Sequence, residues 1–290
     1  MNHPRVLVIG ASCQVGHFLL PLLHREGVDV HALSRQPRPS AAGITWHRGA
    51  LPGDAPASFP SWPCDGIACF APLDALAGWL STLATRPAAG IVATSSMSVL
   101  TKKTSAEAEE LAVVARLEAG EQGLQRECER LGMAWSLIRP TLIYGAGMDR
   151  SLSPIARRAM RWRVFPLPRG RGWRQPVHAA DVADAAWRAL CRPEAHGRVF
   201  ELGGGERLRA ADMFSRLRDS LPVRTLPVPV GAAPLALLAR LLPAARGPVS
   251  RLDQDLVADN AQAREVLGVS PRGFSPEARM WMRDGPGPAP

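Results

Sequence analysis

A strand, a glycine-bearing turn, a helix and a second strand follow one another in the first thirty-five residues, and that order strongly limits the fold. Arg5-Val-Leu-Val-Ile9 is an apolar, β-branched run that enters Gly10-Ala-Ser-Cys-Gln-Val-Gly16 directly. Val15, Phe18, Leu19, Leu22 and Leu23 then share one helical face, which closes at Gly27. A second apolar run, Val28-Asp-Val-His-Ala-Leu33, ends in Ser34-Arg35. Two parallel strands need a crossover of a dozen or more residues, usually a helix. A tight turn between the first strand and that helix aims free backbone N–H groups at an anion. The segment therefore predicts a βαβ unit that seats a dinucleotide pyrophosphate on Gly10, Ser12, Cys13, Gln14, Val15 and Gly16.

The alternation continues. Ile44-Thr-Trp-His-Arg48 reads as a third strand, and the stretch from Pro52 to Pro63, with four prolines, as irregular. Asp65–Phe70 is a fourth strand, followed by Ala71-Pro72 and a helix near 73–85. Gly90–Ser95 is a fifth strand. A long helix over about 105–131 follows, its middle weakened by Gly120 and Gly123. Ala134–Ile138 is a sixth strand, stopped by Arg139-Pro140. This pattern predicts an α/β protein with a doubly wound parallel Rossmann-type sheet. Beyond residue 145 the pattern loosens into a helix at 181–191, one more strand at Val199–Leu202, and helical pieces with proline breaks over 205–290, including an apolar stretch at 232–242. The expected division is 1–145 for the dinucleotide domain, completed by about 175–204. Segments 146–174 and 205–290 would then form a small, mostly helical C-terminal substrate lobe.

Composition excludes several classes. No apolar run approaches the roughly 20 residues of a membrane-spanning helix, and the first strand starts too near Met1 for an expected signal peptide. The five cysteines (13, 64, 69, 128 and 191) show neither CxxC spacing nor a metal pattern. They predict reduced thiols, a cytoplasmic setting and no metal. The net charge of +9 is carried almost wholly by arginine, since lysine occurs only at Lys102 and Lys103. Arg157, Arg158, Arg161, Arg163, Arg169, Arg171 and Arg174 crowd into eighteen residues. Such forks suit phosphate oxygens, on a diphosphate substrate or an anionic surface. An arginine-biased coding style explains many of the others. No nucleic-acid recognition motif accompanies the charge, so a small-molecule partner is expected instead.

Several further segments complete a pattern with the glycine turn: Asp65, Thr94-Ser95-Ser96, Arg139-Pro-Thr-Leu-Ile-Tyr-Gly145, Pro176-Val-His-Ala-Ala-Asp-Val-Ala183 and Phe200-Glu-Leu-Gly-Gly204. Asp255–Asp259, Leu267-Gly268 and Pro271-Arg272 close it. In this order, over nearly the whole chain, these segments resemble the extended short-chain dehydrogenase/reductase family, in its NAD-dependent epimerase/dehydratase-like branch. The resemblance implies a nicotinamide cofactor held by the glycine turn together with Ala71, Ser95, Pro140 and Thr141. It also implies a small substrate, a nucleotide sugar by family expectation, with Arg174 and Arg251 as diphosphate contacts. A monomer, or a homodimer paired through the helices after the fourth and fifth strands, would be expected. The family's acidic residue after the second strand is replaced by Ser34-Arg35, which favours NADP(H) over NAD(H), because an arginine suits a 2′-phosphate.

Two departures concern the chemistry. Cys13 replaces the middle glycine of the turn, which implies altered affinity. The catalytic Tyr-x-x-x-Lys is missing, and counting back from Arg139-Pro140 places Val113 and Leu117 at its positions. The only tyrosine, Tyr144, is expected to be structural. Ser96 matches the family's active-site serine, which orients the reacting oxygen. Lys102, or Lys103, is the candidate replacement proton donor, since an ammonium can exchange a proton where a guanidinium cannot. A solvated lysine pair is the plain alternative. His178 is expected to pack the sheet, Asp181 to begin a helix, and Asp149 and Arg150 to lie at the mouth of the cleft. Two functions remain open. One is an NADP(H)-dependent oxidoreductase or epimerase-like enzyme; the other is a non-catalytic NADP(H)-binding structural or sensor protein. Lys102 facing the cleft favours the first, and Lys102 in solvent the second.

Overall fold

The apolar runs of the first two hundred residues pair as one parallel sheet. A computed structural model of the chain describes residues 3–39, 43–51, 64–168, 170–230 and 252–282. Its first half comprises β1 (Arg5–Ile9), α1 (Gln14–Arg25), β2 (Asp29–Ser34), β3 (Ile44–Arg48), β4 (Cys64–Cys69), α2 (Leu73–Ser81), β5 (Ala88–Thr94), α3 (Ser98–Thr101), α4 (Ala108–Leu131) and β6 (Ala134–Pro140). Then come β7 (Ile143–Tyr144), α5 (Leu152–Trp162), β8 (Val164–Pro168), β9 (Trp173–Arg174), β10 (Val177–His178), α6 (Ala179–Cys191), β11 (Arg198–Leu202), β12 (Leu208–Arg209), α7 (Ala210–Asp219) and β13 (Leu226–Val230). The main sheet runs β11-β6-β5-β4-β1-β2-β3, and every neighbouring pair is parallel. Strand order reverses between β1 and β4, which opens a crevice at the carboxyl ends of these strands. This is the expected doubly wound α/β fold.

The strands are apolar on both faces because both faces are covered. Val6, Val8, Val30 and Ala32 point to one side and pack with Leu19 and Leu23 of α1 and the alanines of α6. Leu7, Ile9, Ile67 and Ile91 point to the other side and meet Leu76 and Trp79 of α2 and Leu124 and Cys128 of α4. Gly120 and Gly123 do not weaken α4 as expected from their propensity. A Cβ at Gly120 would lie 2.7 Å from the Leu73 Cβ, and one at Gly123 would lie 3.0 Å from the Ala77 Cβ. The glycines let α4 press directly on α2, and this packing offsets their helix cost.

In the C-terminal lobe helix outweighs strand among the described residues, as expected, but short strands are present as well. Beside α5 and α7, its described residues form a parallel ribbon of β8 and β13 and an antiparallel pair of β9 and β12. Segment 252–282 has only short helical turns at Ala263–Leu267 and Ala278–Trp281. Pro166, Pro168, Pro227 and Pro229 explain the ribbon. Proline cannot continue a helix, yet it fits an edge strand whose missing N–H faces away from a partner. A separate core of Tyr144, Leu152, Phe165, Met213 and Trp281 holds the lobe together. The irregular stretch expected around 52–63, the apolar stretch 232–242 and the C-terminal tail lie outside the described residues.

An alanine in a helix interior ordinarily adds up to ~1 kcal/mol relative to glycine. At position 120 the sign should invert. Gly120→Ala is expected to lose about 1–3 kcal/mol through overpacking against Leu73, read as a lower urea midpoint with an unchanged slope. A stabilised variant would contradict the close contact between α2 and α4.

Candidate functional site

The crevice is built from the ends of parallel strands. At the end of β1, Gly10 adopts φ +76°, and a side chain there would press on the backbone of Phe70 and Ala71, 3.0 and 3.1 Å away. Gly16 lies in the first turn of α1, where a Cβ would stand 2.1 Å from the Ala11 carbonyl oxygen. Between them Cys13 has an ordinary extended backbone, φ −81° and ψ 172°, so this position does not itself require glycine. Its thiol caps α1 by accepting the Gly16 N–H at 3.4 Å. Burial pushes the Cys13 thiol pKa up, so the sulfur presents no charge to a phosphate. Val15 is buried in the core beneath the turn, and Ser12 is exposed at its tip.

Two buried polar atoms in this crevice have no hydrogen-bond partner: Gln14 Oε1 and Ser95 Oγ. The Gln14 amide nitrogen donates to the Ile143 carbonyl at 3.3 Å, and the Ser95 backbone N–H donates to the Ile138 carbonyl at 2.8 Å. The Gln14 side chain and the Ser95 backbone are thus anchored, while one side-chain oxygen of each residue is left over. A buried orphan costs about 1–3 kcal/mol unless something binds it, so these residues fit a polar ligand such as a dinucleotide. Pro140 accepts the Met97 N–H, and Thr141 donates its hydroxyl to the Gln175 carbonyl. At the end of β2, Ser34 is buried and accepts the Gln36 N–H at 3.3 Å, while Arg35 is exposed. Its guanidinium has no protein partner among the described residues. Deeper along the same edge, His31 on β2 stacks on His47 on β3 with ring nitrogens 2.8 Å apart. Burial lowers both pKa values.

Ser96 follows β5 and forms a small turn with Ser98. Its hydroxyl donates to Ser98 Oγ and accepts the Ser98 N–H, each at 3.1 Å. Lys102 ends α3 and is largely withdrawn from solvent. Its side chain is 17% exposed, and its ammonium stands 3.5 Å from the carboxylate of Glu110 in the first turn of α4. Glu110 also accepts the Ser105 hydroxyl at 2.8 Å. Lys103 reaches outward to Glu118 at 2.8 Å. The register of α4 is set by Glu121, which is buried and receives a bidentate Arg139 guanidinium from β6. That pairing raises the Arg139 pKa. Leu117 and Val113 stand one and two turns before Glu121 along α4. Glu110 and Glu121 were missed as site-building residues in the sequence. Their signal was spacing: 110 and 121 continue the three- and four-residue steps of Val114, Leu117, Leu124 and Cys128 along one helix face.

In the lobe, Arg174 is only 6% exposed and donates to the Trp173 and Gln254 carbonyls at 2.9 and 2.6 Å. It braces β9 against segment 252–256, and a diphosphate would have to share it. Arg251 and Arg169 lie outside the described residues. Asp149 does not serve the cleft mouth. It is buried and caps α5, accepting the N–H groups of Ser151, Leu152 and Ser153. Asp181 sits in the first turn of α6 and pairs with Arg272 at 2.9 Å. The N-cap of α6 is His178, whose Nδ1 accepts the Ala180 N–H at 3.1 Å. Its ring packs on Phe18 and Tyr144, and burial lowers its pKa to about 4. Tyr144 is buried among His178, Phe274 and Trp281, and burial raises its pKa. Both residues hold the two halves of the molecule together.

Against this geometry, residues 118–203 match the model of the NAD dependent epimerase/dehydratase family. A UDP-glucose 4-epimerase of Vibrio cholerae is 27% identical over 157 residues, 51% of this chain and 46% of that protein. The chain thus matches about half the length of that curated relative. Among solved structures, MoeE5 in complex with UDP-glucuronic acid and NAD superposes with a TM-score of 0.74 at 19% identity, covering 96% of this chain and 98% of that one. A UDP-glucuronic acid 4-epimerase from Bacillus cereus, in complex with UDP-glucuronic acid and NAD, gives 0.72 at 15% identity, with 96% and 97% coverage. At these identities the structures show a shared fold. Together with the family model they bear out the resemblance read from the sequence.

His178 gives the site's surroundings a pH signature. Its folded pKa of about 4 lies below the ordinary 6.5, so the unfolded chain binds the extra proton between those values. Stability from this group is complete above about pH 6.5 and falls as pH drops toward 4, by up to ~1.4 kcal/mol per pH unit. Urea midpoints measured from pH 7 to pH 5 are expected to fall more steeply for wild type than for His178→Gln. Equal slopes would show that the ring is not held neutral.

Proposed function

We propose that this relative of the epimerase/dehydratase family binds NADP(H) and acts as an oxidoreductase or epimerase-like enzyme on a carbonyl or hydroxyl of a nucleotide-sugar-like or other small substrate. The observation that carries the proposal is the pair of orphaned buried atoms, Gln14 Oε1 and Ser95 Oγ, at the switch point of the sheet. Gly10 and Gly16 let the chain approach the pyrophosphate there, with Ala71, Pro140 and Thr141 around the rest of the cofactor. The solved neighbours are NAD complexes. Here the unpartnered, exposed Arg35 beside Ser34 supports a 2′-phosphate and hence NADP(H). When bound, the nicotinamide supplies or accepts a hydride.

The chain's own residues have two tasks. Ser96, oriented by Ser98, donates a hydrogen bond to the reacting oxygen. Lys102, beside Glu110 on the loop that follows Ser96, is the candidate to supply a proton where Val113 and Leu117 cannot. A second function is favoured by one observation. Counting back from Arg139-Pro140 puts Val113 and Leu117 where the resemblance expects a catalytic tyrosine and lysine, which fits a protein that holds NADP(H) without turning it over.

Fluorescence titration and a substrate panel separate these possibilities. NADPH is expected to bind more tightly than NADH, and Arg35→Ala to weaken NADPH about 10–100-fold, as for loss of a charge-assisted contact, with NADH unchanged. Equal affinities in wild type would overturn the NADP(H) assignment. Turnover of a UDP-sugar or carbonyl substrate that drops in Ser96→Ala without loss of cofactor affinity supports the enzyme. Tight NADPH binding with no turnover across the panel supports the non-catalytic protein.

A further inference from the structure

The ribbon of β8 and β13 carries an apolar face with no cover among the described residues. Leu226 pairs with Val164 and Val228 with Pro166. Strand side chains alternate sides and paired residues share one, so these four form a single outward face. Phe165, on the other side, is fully buried in the lobe core. Exposure on the outer face is large for apolar groups: Leu226 64%, Val164 41% and Val228 41%, with Trp162, just before the ribbon, at 64%. Scattered single apolar residues are ordinary on a surface, but an apolar strand face with an exposed tryptophan two residues before it in the chain has the composition of an interaction site.

The charge around this face is one-sided. Arg158 and Arg161 on α5, Arg163 at its C-terminus and Arg224 ahead of β13 are all exposed. None of the four guanidinium groups has a hydrogen bond or ion pair among the described residues. No acidic residue occurs from Arg150 through Ala180, nor from Ser220 through Val230. Elsewhere in the chain, exposed arginines such as Arg188, Arg216 and Arg279 do have acidic partners. Among the described residues, no carboxylate pairs with these four arginines. The whole molecule, at +9, adds to the same field.

We propose that this face docks the protein onto an anionic lipid surface. Tryptophan and aliphatic side chains would enter the headgroup boundary while the arginines meet lipid phosphates, the composition that interfacial proteins use without spanning the bilayer. No helix among the described residues is long and apolar enough to cross a membrane, so attachment of this kind is peripheral and reversible. The substrate lobe, which carries this face, would be held toward the lipid, and the cofactor turn lies in the other half of the chain.

Co-sedimentation tests it with the full chain. The protein is expected to pellet with phosphatidylglycerol-containing vesicles at low salt and to remain free with phosphatidylcholine alone. High salt should release it, because exposed charges are screened beyond a Debye length of about 10 Å at 0.1 M. Trp162→Ser with Leu226→Ser should weaken partition about tenfold or more. Replacing Arg158, Arg161 and Arg163 by serine should weaken it about fivefold per residue. All these positions are exposed, so unchanged urea midpoints are expected and would show that the variants fold. Absence of pelleting, pelleting on neutral vesicles alone, or vesicle binding that survives in both variants would overturn the proposal. So would a dimer in sedimentation velocity that Trp162→Ser converts to a monomer without any effect on lipid binding. A DNA duplex that binds more tightly than the anionic vesicles and displaces them would also overturn it. None of these readouts involves nicotinamide binding, so their failure is distinct from failure of the enzyme assignment.

Discussion

The buried ion pair between Arg139 and Glu121 controls how the two halves of the site are related. Arg139 closes the sixth strand of the sheet, and Glu121 sits mid-way along α4, eighteen residues earlier in the chain. A buried carboxylate with a bidentate guanidinium tolerates no slippage, because any shift leaves an unpaired charge, at a cost of about 3–5 kcal/mol. With α4 locked against the strand, Gly120 falls against Leu73 and ties the neighbouring helix α2 into the same arrangement. Glu110, at the other end of α4, then meets Lys102 and fixes the loop that follows Ser96. One polar contact thus relates the strand edge, the helix pair and the loop that carries Lys102.

Much of the sheet was legible because its strands are covered on both faces. The apolar run Arg5–Ile9 matches the observed strand residue for residue, and so does the more polar edge strand Ile44–Arg48. The glycine turn was legible because its geometry is local: Gly10 and Gly16 answer to contacts with Ala71 and Ala11, a few residues away or on the adjacent strand. The C-terminal lobe was less so. Short strands bearing Pro166, Pro168, Pro227 and Pro229 have no periodicity that separates them from broken helix, and their pairing partner lies some sixty residues away. The roles of Gly120 and Gly123 were read in the wrong direction because helix propensity describes a helix alone. The contact with Leu73 and Ala77 belongs to tertiary packing.

The site shows the same division. Residues placed by strand ends, such as Ser34, Arg35, Ser95 and Ser96, stand at the carboxyl edge where their sequence positions put them. Residues whose meaning depends on a distant partner were not accessible in the same way. The spacing between Lys102 and Glu110 matches no periodic element, because a loop intervenes. Asp149 and Arg174 looked like cleft groups by composition. Their oxygens and nitrogens are instead used up by a helix N-terminus and by backbone carbonyls.

The thiol cap at Cys13 bears on how firmly the crevice can grip a ligand. In a bare glycine turn, the helix N-terminus presents unsatisfied N–H groups, and an arriving phosphate gains by satisfying them. Here one of those donors, on Gly16, is already turned toward sulfur. An anion arriving at this turn would compete with the thiol for the Gly16 N–H, so the cap reduces what the helix N-terminus can offer while it holds the backbone of the turn in place.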